Sequence, residues 1–499
     1  MLKDLSGWLK NRIDGISGYS LKYIIITLLG ALLLSFTFLV FNNLIIIAYI
    51  PLFYLIEYSI YKTRLIFIYY FIFYLISFYW LSYFTNIAPL VLGLCYAFLY
   101  SLFIHFLVIK RENHRLLKLI VLLVILDIIR AIGSFGLPFL QPAENFLEVS
   151  YFYGLIKNLG TYGTNLYIYL LNLTIFFLFR GLFRIFFGTA YTFRINNLLL
   201  QNGLRYCIIL IILLLIPYIF KHQNNLISLN KSFAVTLIQP NFDENIKTNQ
   251  RLNELNKIIG ESEEGGLIVL PETVFQTSLN DGIKEFIKKL NSRYNAVIFG
   301  CVLDENNKSY NAIFYFNGDA MNSYPKFHLV PFGEYIPFNI NFLLKLDWYK
   351  DWSPFDRGNN ENYFLYNNLY LVSTVCFESS FDYLIRDRVY KLYNENKLPV
   401  LLTLTNDGWA KSRTSHLQHF KAGLLRCIEF GISWIRCGNS GITGLYRPDV
   451  KNEVDTLNIM KRDIKRFETN IIFMPSFYLK YFYYINFIIL AFSILILLL

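Results

Sequence analysis

A run of about 20 apolar residues can cross a bilayer only as a helix, because lipid offers the backbone no hydrogen-bond partners. No other feature of this sequence restricts its fold as much. Residues 1–221 hold seven such runs, near 22–41, 43–60, 65–84, 88–109, 116–133, 163–186 and 204–220, and an eighth closes the chain at 477–499. Only Asn42 and Asn43 separate the first two. No cleavable signal peptide is apparent, so the first run is expected to act as an uncleaved signal anchor. Composition agrees: 55% of the 499 residues are hydrophobic and 16% are charged, against roughly 45–50% and 25% in a soluble domain.

Basic residues orient these helices. Lys3, Lys10, Arg12 and Lys22 precede the first run, Lys62 and Arg64 lie between the second and third, and Lys110, Arg111, Arg115 and Lys118 between the fourth and fifth. Arg180, Arg184, Arg194 and Arg205 surround the connection between the sixth and seventh. The alternate loops 42–43 and 85–87 carry no Lys or Arg, and 134–162 carries only Lys157. The positive-inside bias then predicts cytoplasmic termini and an extracytoplasmic segment 222–476. The expected organisation is a transmembrane helical domain over 1–221, a globular domain over 222–476 and a last transmembrane helix over 477–499. The net charge of +11 is partly this loop bias and calls for no nucleic-acid partner. No GxGxxG or P-loop pattern suggests a nucleotide.

Segment 222–476 is long enough for a full domain, and it alternates strands with helices. "SFAVTLIQ" (232–239), "GLIVLPE" (266–272), "AVIFGCVL" (296–303), "NAIFYFN" (311–317), "LYLVSTV" (369–375) and "VLLTLTND" (400–407) read as strands. Helices are expected at 246–260, 282–292, 380–394 and near 415–430. Short, solidly apolar strands imply sheets covered on both faces, hence a layered α/β domain. Cys95 and Cys207 fall inside apolar runs as packing residues. Cys301, Cys427 and Cys437 lie in apolar patterns and are expected to be free and buried. No cysteine spacing resembles CxxC or a zinc ribbon.

Reactive groups in such domains collect where strands end. Glu272 ends "IVLPE". Lys326 stands in "SYPKFHLVPFGEYIPF", a stretch stiffened by Pro325, Pro331 and Pro337, with Glu334 eight residues further on. Cys376 ends "LVSTV", and a helix starting just after it would bring positive dipole to the sulfur and favour thiolate. Each has a plainer reading: a charge at a helix N-terminus for Glu272, a solvated loop lysine, an inert strand-end thiol.

The set "PE", "KFHLVPFGE", "CFE" and "NDGW" resembles the nitrilase superfamily, whose sites use a Glu–Lys–Cys triad. Seven apolar runs before the domain and one after narrow the resemblance to the apolipoprotein N-acyltransferase family, across essentially the whole chain; "HLVPFGEYIP" is its most specific piece. The resemblance implies a polytopic membrane protein of about eight spans carrying an αββα sandwich, in a bacterial inner membrane, with the catalytic domain on the periplasmic side. It further implies transfer of a fatty acyl chain from a phospholipid donor to the α-amine of a diacylglyceryl-apolipoprotein acceptor. Glu272 would be general base, Lys326 the oxyanion-stabilising cation and Cys376 the nucleophile. The chemistry asks for the same types: a soft nucleophile that forms a thioester, a carboxylate to take its proton, and fixed positive charge, with the Phe377 N–H, for the tetrahedral intermediate. No cofactor and no metal are implied, and a monomer is expected.

Supporting residues follow. Glu334 is expected to position Lys326 or the base rather than form a surface salt bridge, and Glu378 to be a buried supporting carboxylate or else a helix-start cap. Asp407, His416 and His419 invite a metal reading, but histidines at i and i+3 without a third nearby ligand make a weak signal. Trp409 belongs to a pocket-wall turn, and Arg426 can pair with Glu429 on one helix face. Phe342, Leu343, Leu344, Trp348 and Trp352, in the loop 338–352, would dip into the membrane interface as a substrate lid. "FYLKYFYY" (477–484) reads as an interfacial aromatic belt. Leu270 and Phe377 depart from the Trp and Tyr often found there, which bears on substrate preference. Two rivals remain: a membrane-tethered amidase or thioesterase, in which water beats the amine, and a catalytically dead lipid-binding scaffold, against which the intact triad argues.

Overall fold

The computed structural model describes residues 19–110, 113–187, 193–220, 227–228, 233–260, 262–318, 320–337, 354–359, 363–448 and 456–499. The chain divides into two compact units. One comprises Met1–Ile128, Tyr162–Lys221 and Tyr483–Leu499; the other comprises Ile129–Thr161 and His222–Phe482.

The first unit is helical. Its elements are α1 (Tyr19–Leu39), α2 (Ile50–Tyr58), α3 (Lys62–Ser77), α4 (Ala88–Ile104), α5 (Arg115–Ala131), α6 (Tyr153–Phe187) and α7 (Phe193–Phe220), with the last helix of the chain, Phe477–Leu498, extending into it. Every apolar run seen in the sequence coincides with a helix. Four stretches among the described residues are long and apolar enough to cross a membrane: Leu21–Leu39, Ala88–Ile109, Ser150–Gly181 and Phe477–Leu498. The other runs give shorter apolar stretches, Asn42–Tyr58 and Leu204–Phe220 among them, so eight crossings are not established. The run at 43–60 is cut because Asn42–Ile46 forms a 3-10 turn and Pro51, which lacks an N–H, starts α2 afresh. Several polar side chains inside the unit are paired. Asp127 accepts bonds from Tyr169 Oη (2.6 Å) and Asn165 Nδ2 (3.0 Å), and Asn172 bridges Tyr49 N and Ile45 O.

The second unit is built on two sheets. Its strands are β1 (Phe233–Gln239), β2 (Leu267–Val269), β3 (Phe275–Ser278), β4 (Ala296–Glu305), β5 (Lys308–Phe316), β6 (Met321–Pro325), β7 (Tyr363–Tyr366), β8 (Leu369–Val375), β9 (Leu398–Thr405), β10 (Trp434–Gly438), β11 (Gly444–Tyr446) and β12 (Asp463–Thr469). The seven-stranded sheet runs β12-β1-β2-β4-β5-β6 with β3 beside β4, and the five-stranded sheet runs β11-β10-β9-β8-β7. Strands β1, β2 and β4 pair in parallel, as do β8, β9 and β10. Alternate residues of each sheet meet face to face: Val235, Leu237, Val269 and Ile298 from one, Leu371, Val400, Leu402 and Ile435 from the other, in one buried cluster. The opposite face of the larger sheet, with Ile268, Val297 and Phe299, packs on α8 (Thr248–Gly260) and α9 (Asp281–Asn291) through Leu255, Ile283 and Ile287. Helices α10 (Asp382–Asn394) and α11 (Arg413–Phe430) accompany the smaller sheet, where Phe420 stacks on Trp434. The layering is therefore α, β, β, α, with both sheets covered as their apolar strands predict.

Residues 129–161, placed within the membrane part by the sequence reading, pack with the sandwich instead. Gly133, Gly136, Pro138 and Pro142 break up their first half, so no long apolar helix forms there. Their far end is tied down by charge: Thr161 donates from N (2.7 Å) and Oγ1 (2.9 Å) to Glu429 Oε1, and Arg426 Nη2 donates to Thr161 Oγ1 (2.6 Å). Arg426 also pairs with Glu429 at 2.9 Å, the i, i+3 pair expected from the sequence.

Candidate active site

Three strand ends bring Glu272, Lys326 and Cys376 together, all buried. Glu272 follows β2 on a loop pressed flat against β4, where Gly300 N donates to Pro271 O at 3.1 Å. A Cβ at Gly300 would stand 2.4 Å from Thr273 N, so only glycine lets that loop approach. Lys326 comes directly off β6, a strand hidden in the proline-stiffened stretch, and its N–H donates to Asn311 O at 2.8 Å. Cys376 ends β8 with φ +52°, a left-handed conformation that costs a non-glycine residue about 1–2 kcal/mol. The turn turns its side chain out of the strand direction. It is held by Val375 N donating to Glu378 Oε2 (2.7 Å) and Ser379 Oγ donating to Cys376 O (2.9 Å).

The Lys326 ammonium lies 2.8 Å from the carboxylate oxygens of Glu334 and 4.0 Å from Glu272 Oε1. Asn311, at the start of the apolar part of β5, joins the two acids: its Nδ2 donates to Glu272 Oε1 (2.7 Å) and to Glu334 Oε1 (3.0 Å). Asn406 N donates to Glu272 Oε2 (2.6 Å) and Val330 N to Glu334 Oε2 (2.8 Å). Glu378 sits beneath the nucleophile turn and is fully buried. It accepts from Phe327 N (2.7 Å), His328 N (2.9 Å), Val375 N (2.7 Å) and Tyr324 Oη (3.2 Å). It thereby ties the lysine loop to the cysteine turn, which is more than a helix cap would do.

The electrostatics follow from burial and an excess of negative charge. Burial pushes Glu272 up to about 7, with Glu334 adding to it and Lys326 opposing. Burial alone would lower the Lys326 ammonium, but Glu334 and Glu272 outweigh it and hold it above its ordinary value. The Cys376 thiol is raised, first by burial and then by Glu272, with Lys326 opposing. The expectation of a helix dipole favouring thiolate therefore fails. Cys376–Ser380 is one short 3-10 turn, and α10 begins only at Asp382, so the sulfur rests as a protonated thiol beside a carboxylate. His328, buried between Lys326 and the rings of Phe377 and Phe381, is lowered to about 4, by burial first, and stays neutral.

A second cluster, whose Asp407 and His419 the sequence singled out but whose Arg436 it did not, flanks the thiol. Asp407 Oδ1 accepts from His419 Nδ1 (2.7 Å) and Thr405 Oγ1 (3.0 Å), and its Oδ2 from Arg436 Nη2 (2.7 Å). A ring nitrogen of His419, an Asp407 oxygen and Cys376 Sγ lie within 4.8 Å of one another, a geometry that could suit a metal. The donor set does not fit one: the Arg436 guanidinium, also 3.4 Å from His419 Nδ1, supplies the positive charge there. His416 bonds the Asp407 main-chain carbonyl (2.9 Å). Phe139 closes the wall, its ring centroid 5.5 Å from Phe377 and 6.0 Å from His419. Trp409 lies half-buried in the Asp407–Trp409 turn. Phe342, Leu343, Leu344, Trp348 and Trp352 lie outside the described residues. Cys301, Cys427 and Cys437 are free and buried, as expected.

An αββα sandwich, in a chain with membrane-length helices, thus gathers a strand-end thiol with a lysine between two carboxylates. Residues 30–174 match the family described as the apolipoprotein N-acyltransferase N-terminal domain. The apolipoprotein N-acyltransferase of Aquifex aeolicus is 29% identical over 229 residues, 43% of this chain and 49% of that protein. The Thermotoga maritima enzyme of the same name is 27% identical over 278 residues, 53% and 51% of the two chains. Apolipoprotein N-acyltransferase 2 of Treponema denticola is 30% identical over 233 residues, 42% of each. The chain thus resembles the apolipoprotein N-acyltransferases, and it spans about half the length of the curated relatives it matches. A CN-hydrolase superfamily protein of Xanthomonas campestris overlays on 48% of this chain and 90% of its own, at 14% identity and a TM-score of 0.35. That overlay is too loose to carry an argument; the strand order itself defines the sandwich.

Proposed function

We propose that this chain is a bacterial inner-membrane acyltransferase that moves a fatty acyl chain from a phospholipid, through a Cys376 thioester, to the α-amine of a diacylglyceryl-cysteine at a lipoprotein N-terminus. The observation that carries it is the Glu272–Lys326–Cys376 convergence; the match at residues 30–174 and the relatives' names support the substrate class. In the first half-reaction the thiol proton passes to Glu272, sulfur bonds the ester carbonyl carbon, and Lys326 offsets the oxyanion. Moving a proton from sulfur to Glu272 leaves the cluster's net charge unchanged, so no new charge is buried. Collapse breaks the C–O bond, and Glu272 returns its proton to the lysophospholipid oxygen. In the second half the acceptor nitrogen bonds the thioester carbon and the C–S bond breaks. Charge bias in the loops supports a periplasmic sandwich and cytoplasmic termini.

Intact-mass spectrometry of the detergent-solubilised protein incubated with phospholipid tests this. One added acyl chain is expected, removable by hydroxylamine, absent from Cys376→Ala, and discharged by a diacylglyceryl-cysteine peptide to give an amide. An adduct cleared by water but not by the peptide would replace transferase with hydrolase. No adduct in folded protein would leave a lipid-binding scaffold.

A further inference from the structure

The bonds to Asp407 fix which ring nitrogen of His419 faces it. Burial would raise the Asp407 carboxyl, but His419 and Arg436 hold it far below its ordinary range. A carboxylate accepts, so His419 Nδ1, 2.7 Å from Asp407 Oδ1, carries a hydrogen. A ring that carries only that hydrogen presents a lone pair at Nε2. That atom is buried and has no hydrogen-bond partner, in a side chain whose residue is 7% exposed. An unpaired buried acceptor is costly, and it belongs to a side chain with a ring nitrogen within 4.8 Å of Cys376 Sγ. Oriented by an aspartate, in a side chain close to a nucleophilic sulfur, it has the form of a general base. Yet Glu272 already serves the thiol.

The second half-reaction leaves a proton for it to take. An α-amine has a pKa of about 8 and arrives at neutral pH mostly as ammonium. Forming an amide removes two of its protons, and the departing sulfur takes back only one. We propose that His419 Nε2, aligned by Asp407, removes the first proton from the acceptor's α-ammonium. The freed amine then bonds the thioester carbon, the C–S bond breaks, and the second N–H proton returns through Glu272 to Cys376 Sγ. His419 afterwards releases its proton to water. The inference rests on the acyl-transfer reading above and assigns the acceptor half of it. Phe139, against both the His419 and Phe377 rings, forms the apolar side of the same acceptor position.

His419→Asn tests it, because an asparagine amide can donate to Asp407 as Nδ1–H does but offers no base. Acyl-enzyme is formed from phospholipid, freed of donor, and mixed at neutral pH with either a diacylglyceryl-cysteine peptide or hydroxylamine, an amine already unprotonated there. The variant is expected to acylate within a few-fold of wild type, which also reports that it is folded. Its discharge to the peptide falls about 100-fold or more, while discharge to hydroxylamine is unchanged. Equal discharge to both acceptors, or loss of acylation alongside discharge, overturns the assignment and leaves His419 as a strut for Asp407. His419→Gln, which keeps a donor at the other end of the ring, repeats the comparison with a different packing. Absence of acyl-enzyme in the wild type itself overturns the acyl-transfer reading, and this assignment with it.

Discussion

Two buried ion clusters flank Cys376, and their charge balance differs. In one, a single cation, Lys326, stands among two carboxylates, Glu272 and Glu334. In the other, a single carboxylate, Asp407, is held by Arg436 and His419. Burial pushes Glu272 up to about 7, and Lys326, shared with Glu334, does not offset it, so Glu272 can gain or lose a proton at neutral pH. The Arg436 and His419 partners of the second hold Asp407 well below the usual carboxylate range, so it remains an ion. Equal burial thus gives one labile acid and one fixed one, and whether the neighbouring groups outweigh burial decides which is which.

The strongest way to break this comparison is to neutralise each acid in turn. Glu272→Gln keeps the shape and removes the base, so acylation of Cys376 is expected to slow by about 100- to 10,000-fold with melting little changed. Asp407→Asn strands the fully buried Arg436, and breaking such a pair costs about 3–5 kcal/mol, so the variant melts much earlier. Acylation rates and thermal melting of both variants in detergent decide it. A Glu272→Gln protein that melts as early as Asp407→Asn would show that both clusters are structural.

Titration sharpens the same contrast. Glu272 is raised from 4.5 to about 7 on folding, so between those values the native state holds a proton that the unfolded chain releases. Its contribution to stability is full below about pH 4.5 and lost as pH rises through about 7, at about 1.4 kcal/mol per unit of difference. The melting gap between wild type and Glu272→Gln should therefore shift in favour of the variant over that window. Asp407, depressed on folding, contributes stability that is present above its unfolded value of 3.8 and lost only in stronger acid. Its gap should stay flat from pH 5 to 8, and a sloping one would mean it titrates there. Acylation by the wild type should rise toward a plateau as Glu272 ionises through about pH 7.

How much of this the sequence disclosed depends on whether a residue's partner is local. Glu272 and Cys376 were legible because apolar strands ending in a polar residue announce a display position, and Lys326 because it stands among prolines and aromatics in "SYPKFHLVPFGEYIPF". Asn311 was not. It sits within an apolar strand, and its role depends on β5 pairing with β6, which carries Lys326 N to Asn311 O. Arg436 was hidden in the same way, since only the parallel pairing of β9 with β10 brings "SWIRCGNS" alongside "VLLTLTND". The layering of the sandwich followed from unbroken apolar strands. The number of crossings did not, because hydropathy counts residues and ignores a 3-10 turn or a proline that shortens the helix. Residues 129–161 have no period of their own, and their place is set by Glu429 and Arg426, roughly 270 positions away.

Glu378 offers a third balance and the smallest predicted effect. It is as buried as the other two acids, and burial raises it, but three main-chain N–H groups at 2.7–2.9 Å hold it against that rise. The Tyr324 hydroxyl, 3.2 Å from each carboxylate oxygen, is one further and longer donor. Tyr324→Phe removes that donor and leaves the main-chain cradle, so it is expected to cost about 1 kcal/mol of stability with acylation within a few-fold of wild type. A fall of about 100-fold in acylation without a change in melting would instead put Tyr324 in contact with the reacting atoms. Glu378 would then belong with the labile acid of the first cluster rather than the fixed one of the second.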